Sequence, residues 1–425
     1  MIKGIFQHRR AMGRGFWSLF DQGIVSSGNF LSNIFLARAV SEHDYGTFAL
    51  LFGILLMLNN VHASLVTYQI SVRAATCDES KAREYIGSGL LTTIFLSLLL
   101  AIPLAIGCIA LGQAKLILWA LPAMMLWQMQ ETVRRGLMAR MRFRAACAGD
   151  AISFIGQAVI IFYLARRGAA SLSNVFIAMS ITSVLAMALQ ILQLGLFNFE
   201  DAEISEFART GWSIGRWLLM NNLLSVLNLQ AVGWIIATFH GREQVAQIQA
   251  ISNILGMTHP VLMGLSALIV PATAKARASN GIRHGARVAL TYASMGAAML
   301  IPIYLVIALI PHDVLYAFYK DKYIDCTLLL RLIALVYSID FIGWMLGAML
   351  SGLEQTRSVF LASLCMGVVT VLFTVPFAIK FGILGALIGA CLSVTTRMIA
   401  SGYFAQTLLR EEPVPPMPVE MERAA

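Results

Sequence analysis

Four ionisable side chains stand inside long apolar runs: Asp21, Arg331, Asp340 and Arg397. A charge at mid-membrane depth costs at least about 2.5–3.5 kcal/mol on insertion scales, so each needs a counter-ion or water. Carboxylates so placed suit reversible binding of a proton or a small cation, and Asp21 and Asp340 are the candidates for that role. Guanidinium groups suit a phosphate or pyrophosphate, because their planar fork meets two oxygens at once. Arg397 lies near the middle of its run, with Ser393 and Ser401 a turn away on either side, and is the deeper anion-binding candidate; Arg331 sits near the outer end of its own run. Arg331 and Asp340 are nine residues apart, which puts them on opposite faces of one helix. Asp340 and Arg397 fall at similar depth in different runs, so they can pair across two helices. For that pair, a structural ion pair and a ligand site stand as equal readings.

Uncharged polar residues are patterned too. Ser18, Gln22, Ser26, Asn29 and Asn33 recur at intervals of three or four, which is one face of a helix. Further on come Asn60 and His62, then Asn221, Ser225 and Asn228, then Asn253 and His259. Lipid would penalise such faces, so they must look into protein or water. They either pack helix to helix or line a hydrated cavity between spans 1, 2, 7 and 8. The cavity is the favoured reading, because the polar faces recur at equivalent places in two halves of the chain. His62 and His259 read first as satisfied hydrogen-bonders. Pro260 is expected to kink its helix.

Chemistry of other kinds finds no motif. There is no GxxxxGK[ST], HExxH or GxSxG, and none of the six cysteines forms a CxxC pair. No catalytic residue, metal site or cofactor is expected, beyond coupling to H⁺ or Na⁺.

The elements that position these residues follow from composition. Of 425 residues, 58% are hydrophobic and only 12% charged, and mean hydropathy is +0.76. A soluble domain carries roughly 25% charged residues, so that class is excluded, as is disorder. Unbroken apolar runs exclude a transmembrane β-barrel, whose strands alternate. Twelve apolar runs can be marked, from 16–38 to 383–408; those at 116–131 and 149–165 are short. The predicted fold is an all-α integral membrane protein of about twelve transmembrane helices.

With the N-terminus inside, 21 of the 31 Lys and Arg fall in cytoplasmic segments and 8 outside, so both termini are expected in the cytoplasm. The basic cluster Arg134, Arg135, Arg140, Arg142 and Arg144 reads as a cytoplasmic loop that sets topology and lies near anionic lipid. The net charge of +9 is accounted for this way, without a nucleic-acid partner. Shifting the chain by 200 residues lays Gly15, Trp17, Leu19 and Ala37 on Gly215, Trp217, Leu219 and Ala237. Two six-helix lobes in parallel repeat are therefore expected. Their bounds are 1–197 and 214–409, joined by a linker at 198–213, with a Pro-rich disordered tail at 410–425.

Two segments carry a family resemblance. Phe16–Leu50, FWSLFDQGIVSSGNFLSNIFLARAVSEHDYGTFAL, resembles the first two spans of polysaccharide-repeat flippases, and Gly382–Ser393, GILGALIGACLS, resembles the start of their last helix. These flippases form the polysaccharide transporter branch of the multidrug/oligosaccharidyl-lipid/polysaccharide exporter superfamily. The resemblance implies alternating access, moving undecaprenyl-pyrophosphate-linked oligosaccharide across the bacterial cytoplasmic membrane for O-antigen or exopolysaccharide synthesis. Membrane lipids, a polymerase and chain-length proteins are its expected partners. The residues themselves fit: sugar hydroxyls need a wet Asn/Ser/Gln surface, and the pyrophosphate needs cations. Two rivals remain. A cation-coupled small-molecule extruder would use Asp21 and Asp340. A polymerase or ligase is disfavoured by the short outer connection 311–324.

Overall fold

The computed structural model describes residues 2–75, 77–196 and 203–411. Twelve helical elements follow in chain order. They are α1 (Ile2–Ala39), α2 (Glu42–Arg73), α3 (Glu79–Ala110), α4 (Ile117–Ala139), α5 (Phe143–Arg166) and α6 (Leu172–Leu194), then α7 (Ile204–His240), α8 (Arg242–Gly256), α9 (His259–Leu309), α10 (Pro311–Tyr319), α11 (Thr327–Gly352) and α12 (Arg357–Arg410). Among the described residues, α2, α3, α5, α6, α9, α11 and α12 are long and apolar enough to cross a membrane.

Two of these are too long for one crossing, at 51 and 54 residues, where about 20 suffice. Each is broken from within. Gly281 (φ 81°) interrupts α9 and Gly382 (φ 59°) interrupts α12. Only glycine enters that region of backbone space without strain. Both arms of each, with α1, α4 and α7 of 38, 23 and 37 residues beside them, give twelve helical segments, of which α1, α4 and α7 are not among the apolar span candidates. The expected kink at Pro260 is present: α8 ends at Gly256 and α9 starts at His259 with proline in its first turn.

Helix starts are written in the sequence. The Ser41 hydroxyl accepts Asp44 N–H at 3.0 Å, and the Asp78 carboxylate accepts Lys81 N–H at 2.9 Å, each satisfying an orphan donor of a first turn. Along α3, one stripe stays uncovered by protein: Phe95, Leu98, Leu99, Ile102, Ile106 and Ile109 are 58–65% exposed. A continuous apolar stripe of this length fits hydrocarbon as its solvent.

Packing divides the chain into two compact units. One runs through Met257 and includes His312–Cys326; the other comprises Thr258–Pro311 and Thr327 onward. By packing, the division falls later than the linker read at 198–213, of which 198–202 lie outside the described residues. The reason is the small residues of α7. A Cβ on Gly211 would stand 2.4 Å from the Leu65 carbonyl oxygen, and one on Gly215 would stand 2.3 Å from that of Ser64. Helix α7 therefore lies against α2 at backbone distance, and α8 packs on the other end of α2.

In the first unit, α4 packs between α3 and α6, and α5 lies along α1. Val66, Ile70, Ile86, Leu90, Val133, Leu137 and Phe207 form a dry core from α2, α3, α4 and α7. In the second unit, α11 packs against both α9 and α12.

Candidate functional site

The deepest charges of the first unit meet on Arg134. The sequence reading put this residue in a cytoplasmic loop. Instead, α4 continues eight residues past the end of the apolar run at 131 and carries Arg134 inward, at 5% exposure. Its Nη2 donates to Asp21 Oδ2 of α1 at 2.8 Å, its Nε to Asp150 Oδ2 of α5 at 2.5 Å, and its Nη1 to Glu131 Oε2 at 3.0 Å. Asp21 and Asp150 are both fully buried. Oδ1 of Asp21 and Oδ1 of Asp150 are each buried without a hydrogen-bond partner. Arg135, one residue on, points outward and donates to Glu131 at 2.7 Å from a side chain 42% exposed. Successive helical positions differ by about 100°, so two adjacent arginines meet opposite surroundings.

The rest of the basic cluster is tied down as well. Arg140 and Arg142 both pair with Glu79 at 2.7 Å, and Arg144 lies 4.9 Å above the Trp17 ring. The residues that sequence reasoning missed here are Arg134, Glu131 and Asp150. The available signal was the spacing of Glu131 to Arg134 and Arg135, three and four residues, which marks a continuing helix, together with Asp150 at the head of the next apolar run.

Of the two readings of His62, hydrogen-bonder and cavity-lining residue, the geometry fits the first: it is fully buried between α2, α3 and α4. Its Nε2 lies 3.0 Å from Thr93 Oγ1 and 3.1 Å from Thr132 Oγ1, and these two hydroxyls are 2.9 Å apart. Ser97 and Gln128 extend the chain, with the hydroxyl donating at 2.8 Å. This is polar packing inside the unit.

The polar stripe of α1 grades from open to closed. Gln22 is exposed, Ser26 and Asn29 are half-buried, and Asn33 is buried. Asn33 donates to Asn29 O at 3.0 Å and accepts Tyr45 O–H at 3.2 Å. Asn60 donates to Leu56 O at 2.8 Å within its own helix. Asn253 of α8 donates to Phe30 O of α1 and to the Tyr319 hydroxyl. Much of the stripe is therefore consumed by helix packing inside this unit. The side chains of Asn221, Ser225 and Asn228 lie outside the described residues. One pocket of about 390 Å³ opens in this unit, lined by Arg73, Lys81, Glu84, Tyr85, Glu203 and Glu206 among others, a mixed-charge surface without the residues expected of a sugar cavity.

In the second unit Arg397 of α12 meets Asp340 of α11. Nη2 donates to Asp340 Oδ1 at 2.6 Å and to the Asp340 carbonyl at 3.2 Å. The Trp344 ring lies 5.7 Å from the guanidinium carbon, and its indole N–H donates to Ser266 at 2.5 Å. Arg397 Nε is buried without a partner. Ser393 is not part of this group; it bonds Thr370 and Thr374 at 3.1 Å each, joining the two arms of α12. Arg331 is exposed and donates to the Ala308 carbonyl at 3.1 Å, apart from Arg397. His259 is exposed at the head of α9.

No protein-family model matches the chain. No curated protein sequence matches it either. Solved structures do. An inward-facing multidrug resistance MATE family transporter of the MOP superfamily superposes with a TM-score of 0.71 at 14% identity, covering 91% of this chain and 96% of its own. The lipid II flippase MurJ, in an inward closed conformation, gives 0.70 at 13% identity, over 92% and 87%. An outward-facing MATE transporter gives 0.60 at 14%, over 93% and 95%. The chain is thus a multi-pass membrane protein with the fold shared by MATE transporters and the MurJ flippase of the MOP superfamily.

Proposed function

We propose that this chain is a flippase of the bacterial cytoplasmic membrane. It moves undecaprenyl-pyrophosphate-linked oligosaccharide units by alternating access of the repeat halves 1–197 and 214–409, with both termini in the cytoplasm. Arg397 carries the reading: a guanidinium in mid-helix, held from one side by Asp340, with Nε still free of any acceptor. Such a fork is suited to an anionic ester. The name of the MurJ neighbour, a lipid II flippase, supports a lipid-linked substrate.

The second reading is a cation-coupled small-molecule extruder. The MATE neighbours and the one-third-exposed Asp340 carboxylate favour it. Against it, Asp21 already has a resident counter-ion in Arg134, so it offers no free cation site. Deletion of the gene in its native host tests the two. The flippase reading expects lipid-linked repeat units to build up on the inner leaflet with drug accumulation unchanged. Raised drug accumulation with normal surface polysaccharide establishes the extruder.

A further inference from the structure

The pocket of about 390 Å³ in the first unit is walled by charges of both signs. Arg73 ends α2, Lys81 stands in the first turn of α3, and Glu84 follows one turn on. Glu203 and Glu206 close the pocket from the head of α7. Among the described residues, Lys81 and Glu84 are in no ion pair, although they share this cavity. The Glu203 and Glu206 carboxyls hydrogen-bond each other, which raises the Glu203 pKa. Two carboxylates in contact favour the arrival of a cation. The walls are fixed in place. Ser88 Oγ accepts the Glu203 N–H at 3.0 Å, Gln69 Nε2 donates to the Phe207 carbonyl at 3.3 Å, and the Tyr85 and Phe207 rings lie 4.8 Å apart.

Depth narrows the ligand. Helix α3 has 32 residues, about 48 Å at 1.5 Å per residue, and hydrocarbon takes about 30 Å of that. Its uncovered apolar stripe, Phe95 to Ile109, lies toward the far end. Lys81, Glu84, Tyr85 and Ser88 therefore fall in the remaining roughly 18 Å, the layer of lipid headgroups and the water beyond it. Charge narrows it further. Two cations face three carboxylates in the lining, a balance that repels a purely anionic headgroup and suits one that brings an ammonium with its phosphate. A primary ammonium has three N–H donors for carboxylates, whereas a quaternary one has none. We propose that this pocket seats the headgroup of a phospholipid carrying a phosphodiester and a primary ammonium, a phosphatidylethanolamine. The phosphodiester lies on Arg73 and Lys81, and the ammonium lies among Glu84, Glu203 and Glu206. Seated there, the lipid ties the head of α7 to the adjoining ends of α2 and α3 through both of its charges. The site is separate from Arg397 and does not depend on what the chain transports.

The test uses the full chain, delipidated in a non-ionic detergent, with dioctanoyl phosphatidylethanolamine as the probe. Thermal unfolding is followed by tryptophan fluorescence as the lipid is titrated, and the saturation midpoint gives its affinity. Phosphatidylethanolamine is expected to raise the unfolding temperature saturably, with phosphatidylcholine and phosphatidylglycerol of the same chain length at least tenfold weaker. The triple variant Glu84→Gln, Glu203→Gln, Glu206→Gln should lose about tenfold or more in affinity, since it removes the charged acceptors of the ammonium. Lys81→Ala, on the opposite wall, reads the phosphate half separately and should weaken binding as well. These side chains are exposed, apart from the wall contacts named above, so the variants should unfold at the wild-type temperature without lipid. Equal midpoints for phosphatidylethanolamine and phosphatidylcholine overturn the proposal. So does unchanged phosphatidylethanolamine affinity in either the triple variant or Lys81→Ala. If soluble glycerophosphoethanolamine matches the lipid at equal concentration, the membrane source is overturned and the pocket takes the free headgroup.

Discussion

Arg134→Ala removes one cation from three carboxylates. The guanidinium contacts Asp21, Glu131 and Asp150 between 2.5 and 3.0 Å, and two of these are wholly buried. Removing one partner of a buried pair costs about 3–5 kcal/mol, because the remaining charge is stranded. Here Arg135 can still compensate Glu131, since it already bonds that residue. Asp21 and Asp150 are each paired with Arg134 alone among the described residues. The expected loss is therefore at the upper end, about 5 kcal/mol, comparable to the whole stability of many domains. Arg134→Lys should recover only part of it, since an ammonium is a point charge without the fork that reaches α1 and α5 together. Replacing Asp21, Asp150 and Arg134 at once with Asn, Asn and Met should recover more than Lys alone. The assay is denaturant unfolding of the purified protein in detergent, followed by tryptophan fluorescence. A loss below about 1 kcal/mol for Arg134→Ala would refute the claim that this cluster ties α1, α4 and α5 together.

Three further outcomes follow from the same geometry. Gly215→Leu drives a side chain into the Ser64 carbonyl, where even a Cβ stands 2.3 Å away; it should cost about 1–3 kcal/mol in that unfolding assay, and no loss would argue that α7 does not lie on α2. His62→Leu removes one partner from the Thr93 and Thr132 hydroxyls, which keep each other at 2.9 Å and the carbonyls of Gly89 and Gln128, so a loss of about 0.5–1.5 kcal/mol without any change in substrate binding is expected. Reporter fusions after Arg144 and Arg277 should read cytoplasmic, and those after Arg167 and Lys322 outside; reversal at any one breaks the topology.

The fold was legible because hydrocarbon imposes a simple rule on sequence: long apolar runs cross, and their breaks show. Gly382 and Pro260 mark interruptions where the backbone does break. The charged sites were less legible. A hydropathy window sees Arg134 and Arg135 as one polar end, whereas helical geometry sends the first into the protein and the second out. Asp21 was visible as an oddity in its run, but its partner Arg134 lies 113 positions away on α4, and no local pattern reports that. The pair of Asp340 and Arg397 was more accessible, since each interrupts an apolar stretch at the depth of the other. His62 carried two readings because a polar residue in a span looks the same in sequence whether it faces water or two threonines.

The central claim is that Arg397 holds the anionic end of a lipid-linked substrate. Its most direct measurement is transbilayer movement of a pyrophosphate-linked oligosaccharide in proteoliposomes, comparing the wild type with the paired variant Asp340→Leu, Arg397→Met. The pair leaves no stranded charge, so the protein should insert and fold normally. The account predicts that it folds but moves no substrate. Wild-type rates from the folded double variant would contradict it, leaving Arg397 as nothing more than the counter-ion of Asp340.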